Sequence, residues 1–388
     1  MSRVLISSLP GEVRMARCVD DRLTDLLIEY ASNPSRLGNV YRARVTKRDR
    51  GLAAAFCDIG EEVSAFLPLE KDAALSEGDG VILRIVREAE GEKGPKAALY
   101  SEALPEGLSA QSAPCLLLRA ADPVLALLQS AEAPDEIVVD DPAFHQRLRR
   151  LLTDRRPDLV AALTLYHGNA ALFEAEALEE EVEALLRPEV RLPSGARLWI
   201  EPTHACVAID LDSARQKSAR AANREAAWEI ARQVRLRNLS GLILIDFLDL
   251  QQRSAREELE GVLAQAFAED PEPVQFHSVR ASGLFTMTRR RSRLALHELV
   301  TAPCGTQGSG REYTPLSQAY RALRALQTAA LDRPGDTAGL RVTPQVKQAL
   351  EVEAAEALQS TNRRIGYEVM ITPDKNSTGF DVTWEADR

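Results

Sequence analysis

The sequence predicts a multidomain α/β protein with a small β-barrel set into it. Three observations carry that expectation. At 388 residues the chain is longer than one small core can hold. Between residues 36 and 105, five short strand-like runs follow one another across glycine-bearing turns. From residue 136 onward, apolar strands alternate with amphipathic helical segments, the pattern of an α/β layer.

Taken in order, residues 2–35 read as short strands with turns at Pro10-Gly11 and Asp20-Asp21. Strands at Gly38–Val45, Ala53–Ile59, Ser64–Leu69, Gly80–Arg87 and Lys96–Tyr100 suggest a barrel of the OB type. Residues 103–134, rich in Ala, Pro and Ser, read as a connection holding one short strand, Cys115–Arg119. A strand at Glu136–Asp140, a helix over 142–153, a strand at Ala162–Tyr166 and an acidic helix over 172–186 follow. Residues 197–210 supply two strands. The helix Asn223–Leu236 carries Ala226, Ala227, Ile230, Ala231 and Val234 along one face. Strand 241–247, helix 253–268 and strand 273–279 complete the layer. From 314 the pattern is helix (316–330), helix (343–358), strand (366–372) and strand (379–384), read as a small separate α/β unit.

Composition narrows the classes. The chain is 45% hydrophobic and 27% charged, as expected of a globular protein. No apolar run approaches the ~20 residues that span a bilayer, so no membrane association is expected. The N-terminus opens directly as a strand without a signal-peptide pattern. Cys18, Cys57, Cys115, Cys206 and Cys304 are scattered singly, which fits a reducing cytoplasm. The net charge of -10 alone argues against nucleic acid. Local basic surfaces can coexist with an acidic remainder, and Arg42, Arg44, Lys47, Arg48, Arg50 and the run Arg289-Arg290-Arg291 with Arg293 are candidates.

The strongest chemical signal is acidic. Asp210 closes the apolar run Cys206–Asp210, and Asp246 closes Gly241–Asp246, with a helix between them. Carboxylates at the ends of buried strands emerge at a sheet edge, where hard oxygen ligands can converge on a cation such as Mg2+. Asp212 shares the strand face of Asp210, because strand period is two, and Asp249 follows Asp246. The competing reading is helix or turn capping. Phe56, Phe66 and Lys93 could stack bases and hold a phosphate on the barrel, although spacing alone reads both Phe as core. Arg289 and Arg291 could grip phosphates, or lie on the surface at a helix start. The five His show no metal-ligand spacing, and no GxxxxGK[ST] loop or GxSxG elbow is present.

Together these segments resemble the ribonuclease E/G family over nearly the whole chain. Gly38-Asn39-Val40-Tyr41, Ala54–Gly60 and Ala65–Pro68 resemble its S1 domain. Ala208-Ile209-Asp210, Asn223–Arg237, Gly241–Asp249 and Met287–Arg291 resemble its catalytic region. The resemblance implies an RNase H-like region (1–35 plus 135–190), an inserted S1 RNA-binding domain (36–102), a truncated 5'-sensor segment (103–134), a DNase I-like catalytic domain (191–300), a degenerate zinc-link (301–313) and a small C-terminal domain (314–388). It implies a Mg2+-dependent endoribonuclease, with Mn2+ as a substitute, that cleaves single-stranded RNA to 5'-phosphate and 3'-hydroxyl ends. Asp210, Asp212 and Asp246 would be catalytic, with the metal on Asp210 and Asp246. Phe56, Phe66, Lys93, Arg289 and Arg291 would contact RNA.

Four departures qualify the likeness. Asp212 stands where the family has Asn. Arg119 matches the sensor's phosphate-binding Arg, but Ala120 replaces the Thr hydroxyl donor. Cys304 matches one zinc-link Cys, while Gln307 stands at the other, so structural zinc is not expected. Assembly of a degradosome through a long C-terminal scaffold tail is not expected. A cytoplasmic homodimer is implied. The alternatives are a non-catalytic RNA-binding protein on the same fold and a metal phosphoesterase acting on small nucleotides.

Overall fold

The computed structural model describes residues 1–70, 75–90, 93–105, 108, 112–129, 133–168, 170–213, 218–277, 284–304 and 310–384. Its architecture is mixed α/β, with a closed barrel inserted in the chain between strands of a five-stranded sheet, and a six-stranded sheet following.

The chain begins as an antiparallel meander, β1 (Ser2–Leu9), β2 (Glu12–Val19) and β3 (Arg22–Tyr30). Its first turn uses Gly11 at φ 89, and its second uses Asp20 and Asp21 at φ 49 and 59. Asp is among the few side chains that tolerate this left-handed region. The barrel follows: β4 (Val40–Asp49), β5 (Ala54–Asp58), β6 (Ala65–Pro68), β7 (Gly80–Arg87) and β8 (Lys96–Leu99). The order β4-β5-β6-β8-β7 returns to β4 and closes it, and β9 (Cys115–Leu118) adds to the remaining edge of β4. Alternation fills the interior with Ala43, Val45, Ala55, Cys57, Ala65, Leu67, Leu83 and Ile85.

Beyond α1 (Pro123–Gln129), β10 (Glu136–Val139) returns parallel to β1, and α2 (Pro142–Arg155) leads to β11 (Leu163–Leu165). The resulting sheet runs β11-β10-β1-β2-β3. The helix expected over 172–186 is two short ones, α3 (Leu172–Ala175) and α4 (Leu178–Ala184), interrupted at Ala177 with φ 55.

The second large sheet comprises β12 (Glu189–Arg191), β13 (Arg197–Pro202), β14 (Val207–Asp212), β15 (Gly241–Asp246), β16 (Val274–His277) and β17 (Leu284–Arg289), in the order β12-β13-β14-β15-β17-β16. Only β14 and β15 pair in parallel, and the crossover between them is α5 (Ala219–Leu236). With α6 (Arg253–Ala266), this helix covers one face of the sheet, burying Ile209, Ile243, Ile245, Ile230, Val234 and Leu263 in one cluster. The sequence reading lacked β17, which lies between β15 and β16.

The remainder comprises α7 (Leu296–Val300), the hairpin β18 (Thr301–Pro303) and β19 (Arg311–Tyr313), α8 (Pro315–Asp332), β20 (Ala338–Val342), α9 (Pro344–Glu351), α10 (Ala355–Ile365), β21 (Ile371–Pro373) and β22 (Phe380–Trp384). The last three strands form a sheet, β21-β20-β22, whose central strand the sequence reading also lacked. The described residues from 314 to 384 share a core with the N-terminal sheet and do not form the separate unit expected. Tyr320, Leu323 and Leu326 of α8 share one core cluster with Leu5, Leu9, Ile28 and Tyr30 of the N-terminal sheet. Tyr30 and Tyr320 stack at 5.7 Å. Charges in this junction are paired: Arg324 with Glu12, and Arg14 with both oxygens of Glu179 at 2.7 and 2.9 Å, its guanidinium lying 4.4 Å over Phe173. The opposite face of the N-terminal sheet packs Val4, Ile6 and Met15 against Leu128, Phe144 and Leu148.

Candidate active site and RNA surface

The two predicted carboxylates meet. In the parallel pair β14–β15, Asp210 lies directly opposite Asp246. Both strands alternate, so Val207, Ile209, Ile243 and Ile245 point into the helix-covered core. Ala208, Asp210, Asp212, Leu244 and Asp246 point to the other face, where no core cluster lies among the described residues. Asp210 and Asp246 are both exposed. Neighbours in register on paired strands stand about 5 Å apart, so two like charges share this edge. Partial desolvation against the sheet, then the charges of Asp246 and Asp212, push the Asp210 carboxyl above its ordinary value.

The segment after Asp246 is pinned from behind. Asn223, fully buried on α5, donates to the Leu248 carbonyl at 2.8 Å and accepts from the Leu248 N–H at 3.1 Å. The third carboxylate is engaged elsewhere: Asp212 Oδ2 accepts from Arg197 Nη2 at 2.7 Å. Trp199 on β13 stands opposite Asp210. Sequence reasoning missed Arg197 and Trp199, because their placement depends on the register of the β13–β14 hairpin.

The donor set suits a hard divalent ion. Among the described residues no three His, Cys, Asp or Glu side chains gather in metal-holding geometry. Mg2+ needs only one or two carboxylates, with water completing its shell. The repelling Asp210–Asp246 pair meets that need, and a cation between them would relieve the repulsion.

On the barrel, Phe56 and Phe66 are cross-strand partners with ring centroids 5.7 Å apart at 72°. Both are half-buried and lie outside the barrel's core cluster, their neighbours Ala55, Cys57, Ala65 and Leu67 filling it instead. The Lys47 ammonium sits 6.0 Å over Phe56. Lys93 is exposed, opposite Glu90, and the Pro95 carbonyl two residues on accepts from the Phe66 N–H.

Two arginines of the basic run sit differently. Arg289 lies inward on β17, 2% exposed, because its strand places Phe285, Met287 and Arg289 on the core face. It holds both oxygens of Asp270 at 2.9 Å and donates to Asn238 and Leu239. That is a structural role, out of reach of an RNA strand. Arg291 pairs with Glu90 at 2.5 Å, and the Glu88 N–H donates to the Ser292 carbonyl at 2.8 Å. These contacts clasp the barrel to the six-stranded sheet. Arg291 also holds the Glu90 carboxyl below its ordinary range.

Arg119 is exposed just past β9, while the Ala120 N–H is taken by Asn39 at 2.7 Å. Cys304 donates its thiol to Glu312 at 2.7 Å, which raises its pKa. Gln307 lies outside the described residues. A cavity of about 280 Å³ lies where β3, the barrel and the six-stranded layer meet, away from the Asp pair. Glu29 and Arg293 line it. Burial pushes the Glu29 carboxyl up to about 7, with Arg293 opposing and Asp122 and Glu88 reinforcing the shift. No helix among the described residues is long and apolar enough to cross a membrane.

Comparison with known proteins places these features in a family. The family model described as "Ribonuclease E/G family" matches residues 72–292, more than half of the chain. Ribonuclease E of Haemophilus influenzae is 27% identical, covering 97% of this chain and 51% of its own length. Ribonuclease E of Escherichia coli is 28% identical, covering 96% of this chain and 45% of its own. The chain thus spans about half the length of these two relatives. Against Ribonuclease G of Escherichia coli the identity is 24%, covering 98% of this chain and 99% of that protein. With the match running through the barrel clasp and the acidic sheet edge alike, the chain belongs to the ribonuclease E/G family.

Proposed function

We propose that the protein is an endoribonuclease acting in RNA processing or decay, which hydrolyses single-stranded RNA at the Asp210–Asp246 edge to leave 5'-phosphate and 3'-hydroxyl ends. The observation that carries this reading is the register: two exposed carboxylates face each other across a parallel strand pair, on the sheet face without a core cluster. Asp210 and Asp246 would hold Mg2+, or Mn2+ in its place, and that ion would supply Lewis acidity toward the scissile phosphodiester. Phe56 and Phe66 would stack unpaired bases, and Lys93 would hold the backbone phosphate between them. Asn223 would keep the Asp246 strand end in place through Leu248.

We read the five-stranded sheet with its helices as RNase H-like, the barrel as an S1 domain and the six-stranded layer as DNase I-like. The family likeness also supports a homodimer.

The test is an unstructured, end-labelled RNA with Mg2+. Internal cleavage by the wild type, lost in Asp246→Asn while RNA affinity is retained, supports the reading. Binding without cleavage under Mg2+ or Mn2+ would turn the protein into an RNA-binding module. Hydrolysis of small nucleotide diesters that ignores Phe56→Ala would point to a phosphoesterase instead.

A further inference from the structure

We propose that Arg197 is a positioning residue of the cation site: its guanidinium neutralises Asp212 and holds that carboxylate away from the Asp210–Asp246 pair, so the edge offers two ionised ligands and not three. The inference rests on the cation-site reading above.

Arg197 and Asp212 are direct cross-strand partners on β13 and β14. Their Nη2–Oδ2 separation is 2.7 Å, a charge-assisted hydrogen bond at full strength. Strand alternation puts both on the face that carries Asp210. Glu189 on β12 reaches the same guanidinium at 4.0 Å, so Arg197 is drawn along its own sheet edge by carboxylates on both flanking strands.

Charge arithmetic follows. Asp210 and Asp246 carry two negative charges, matched to one divalent ion, while Arg197 and Asp212 together carry none. Without Arg197 the edge would present a third carboxylate, and clustered like charges raise one another's proton affinity and their demand for a cation. Stability does not explain the pair. The two side chains are 43% and 42% exposed, and ion pairs that open to solvent contribute little to folding. Arg197→Gln should therefore fold normally and change the site alone.

The experiment measures binding of Mn2+ alone, without RNA, from the free-ion electron paramagnetic resonance signal at fixed pH and ionic strength. Arg197→Gln should tighten Mn2+ by about tenfold, since it both removes a cation and frees a carboxylate. Asp212→Asn should weaken it by about the same factor, because the guanidinium is then uncompensated. The double variant should return to within about twofold of the wild type. A double variant as weak as Asp212→Asn would make Asp212 a direct ligand and overturn the proposal. Variants that all stay within twofold would reduce the pair to a surface contact and overturn it equally. The control is Asp210→Asn with Asp246→Asn. If it binds Mn2+ as well as the wild type, the cation-site reading itself falls, a result distinct from the other two.

Discussion

The two large sheets differ in what covers them, and the difference supports the proposed placing of the chemistry. The five-stranded N-terminal sheet is buried on both faces, by α1 and α2 on one and by α8 and the C-terminal elements on the other. Three arginines at its core are paired within the chain: Arg14 with Glu179, Arg324 with Glu12, Arg3 with Glu136 and Glu176. Among the described residues the six-stranded sheet carries a core cluster on one face only. Its other face sets two carboxylates side by side. Unneutralised like charge is costly, and a fold keeps it where a ligand completes it. Buried charge is instead balanced within the chain.

Substitutions can break or sharpen that contrast. The largest effect belongs to the open face: Asp210→Asn should lower RNA cleavage by about a thousandfold or more, with unchanged melting temperature, since it removes one of two cation ligands. Activity within tenfold of wild type would sink the assignment. Next is the covered face of the same sheet. Arg289→Ala leaves Asp270, 3% exposed at its side chain, without its partner, and should cost about 3–5 kcal/mol in urea unfolding. RNA affinity of the folded variant should not move. A loss of affinity without a loss of stability would return Arg289 to the RNA surface.

On the barrel, Phe56→Ala should weaken single-stranded RNA binding by about 1–3 kcal/mol, measurable by fluorescence anisotropy, with cleavage chemistry intact at saturating RNA. At the cavity, Glu29 tests the rule from the other direction. Its carboxyl is raised to about 7 in the fold from an ordinary value near 4.5, so the folded state holds its proton more tightly than the unfolded chain. Stability should fall as pH rises from about 4.5 to 7 and stay lower above that. Glu29→Gln should stabilise the protein by about 1–2 kcal/mol at pH 8, after a discount for solvent screening, and by little at pH 4. Equal effects at both pH values would contradict it. The smallest change is at Arg253, 86% exposed and paired with Glu257. Arg253→Ala should shift stability by less than about 0.5 kcal/mol.

The acidic edge was legible because a period-two apolar run ending in Asp carries its own geometry. Two such strands joined by one amphipathic helix must lie parallel, which set Asp210 beside Asp246. The barrel was legible through its turns. Arg289 was not, because a triplet of arginines looks solvated until Asp270, nineteen positions earlier, is seen to neutralise the first of them. Arg197 was hidden for a related reason: its partner is fixed by hairpin register, which the residues at 203–206 decide. The C-terminal elements were read as independent because their amphipathic faces are visible in sequence, whereas the surface that receives them, Tyr30 and Ile28 on β3, lies about three hundred residues away.

Under the proposed function, the bonds Glu88–Ser292 and Arg291–Glu90 would have a consequence for what the protein can cut. They fasten Phe56, Phe66 and the acidic edge to one frame, so the span between a base stacked there and a bond cut at that edge would be a property of the protein. The molecule is then a ruler: oligonucleotides shorter than that span should lose cleavage in a step, and loosening the fastening should blur the step into a slope.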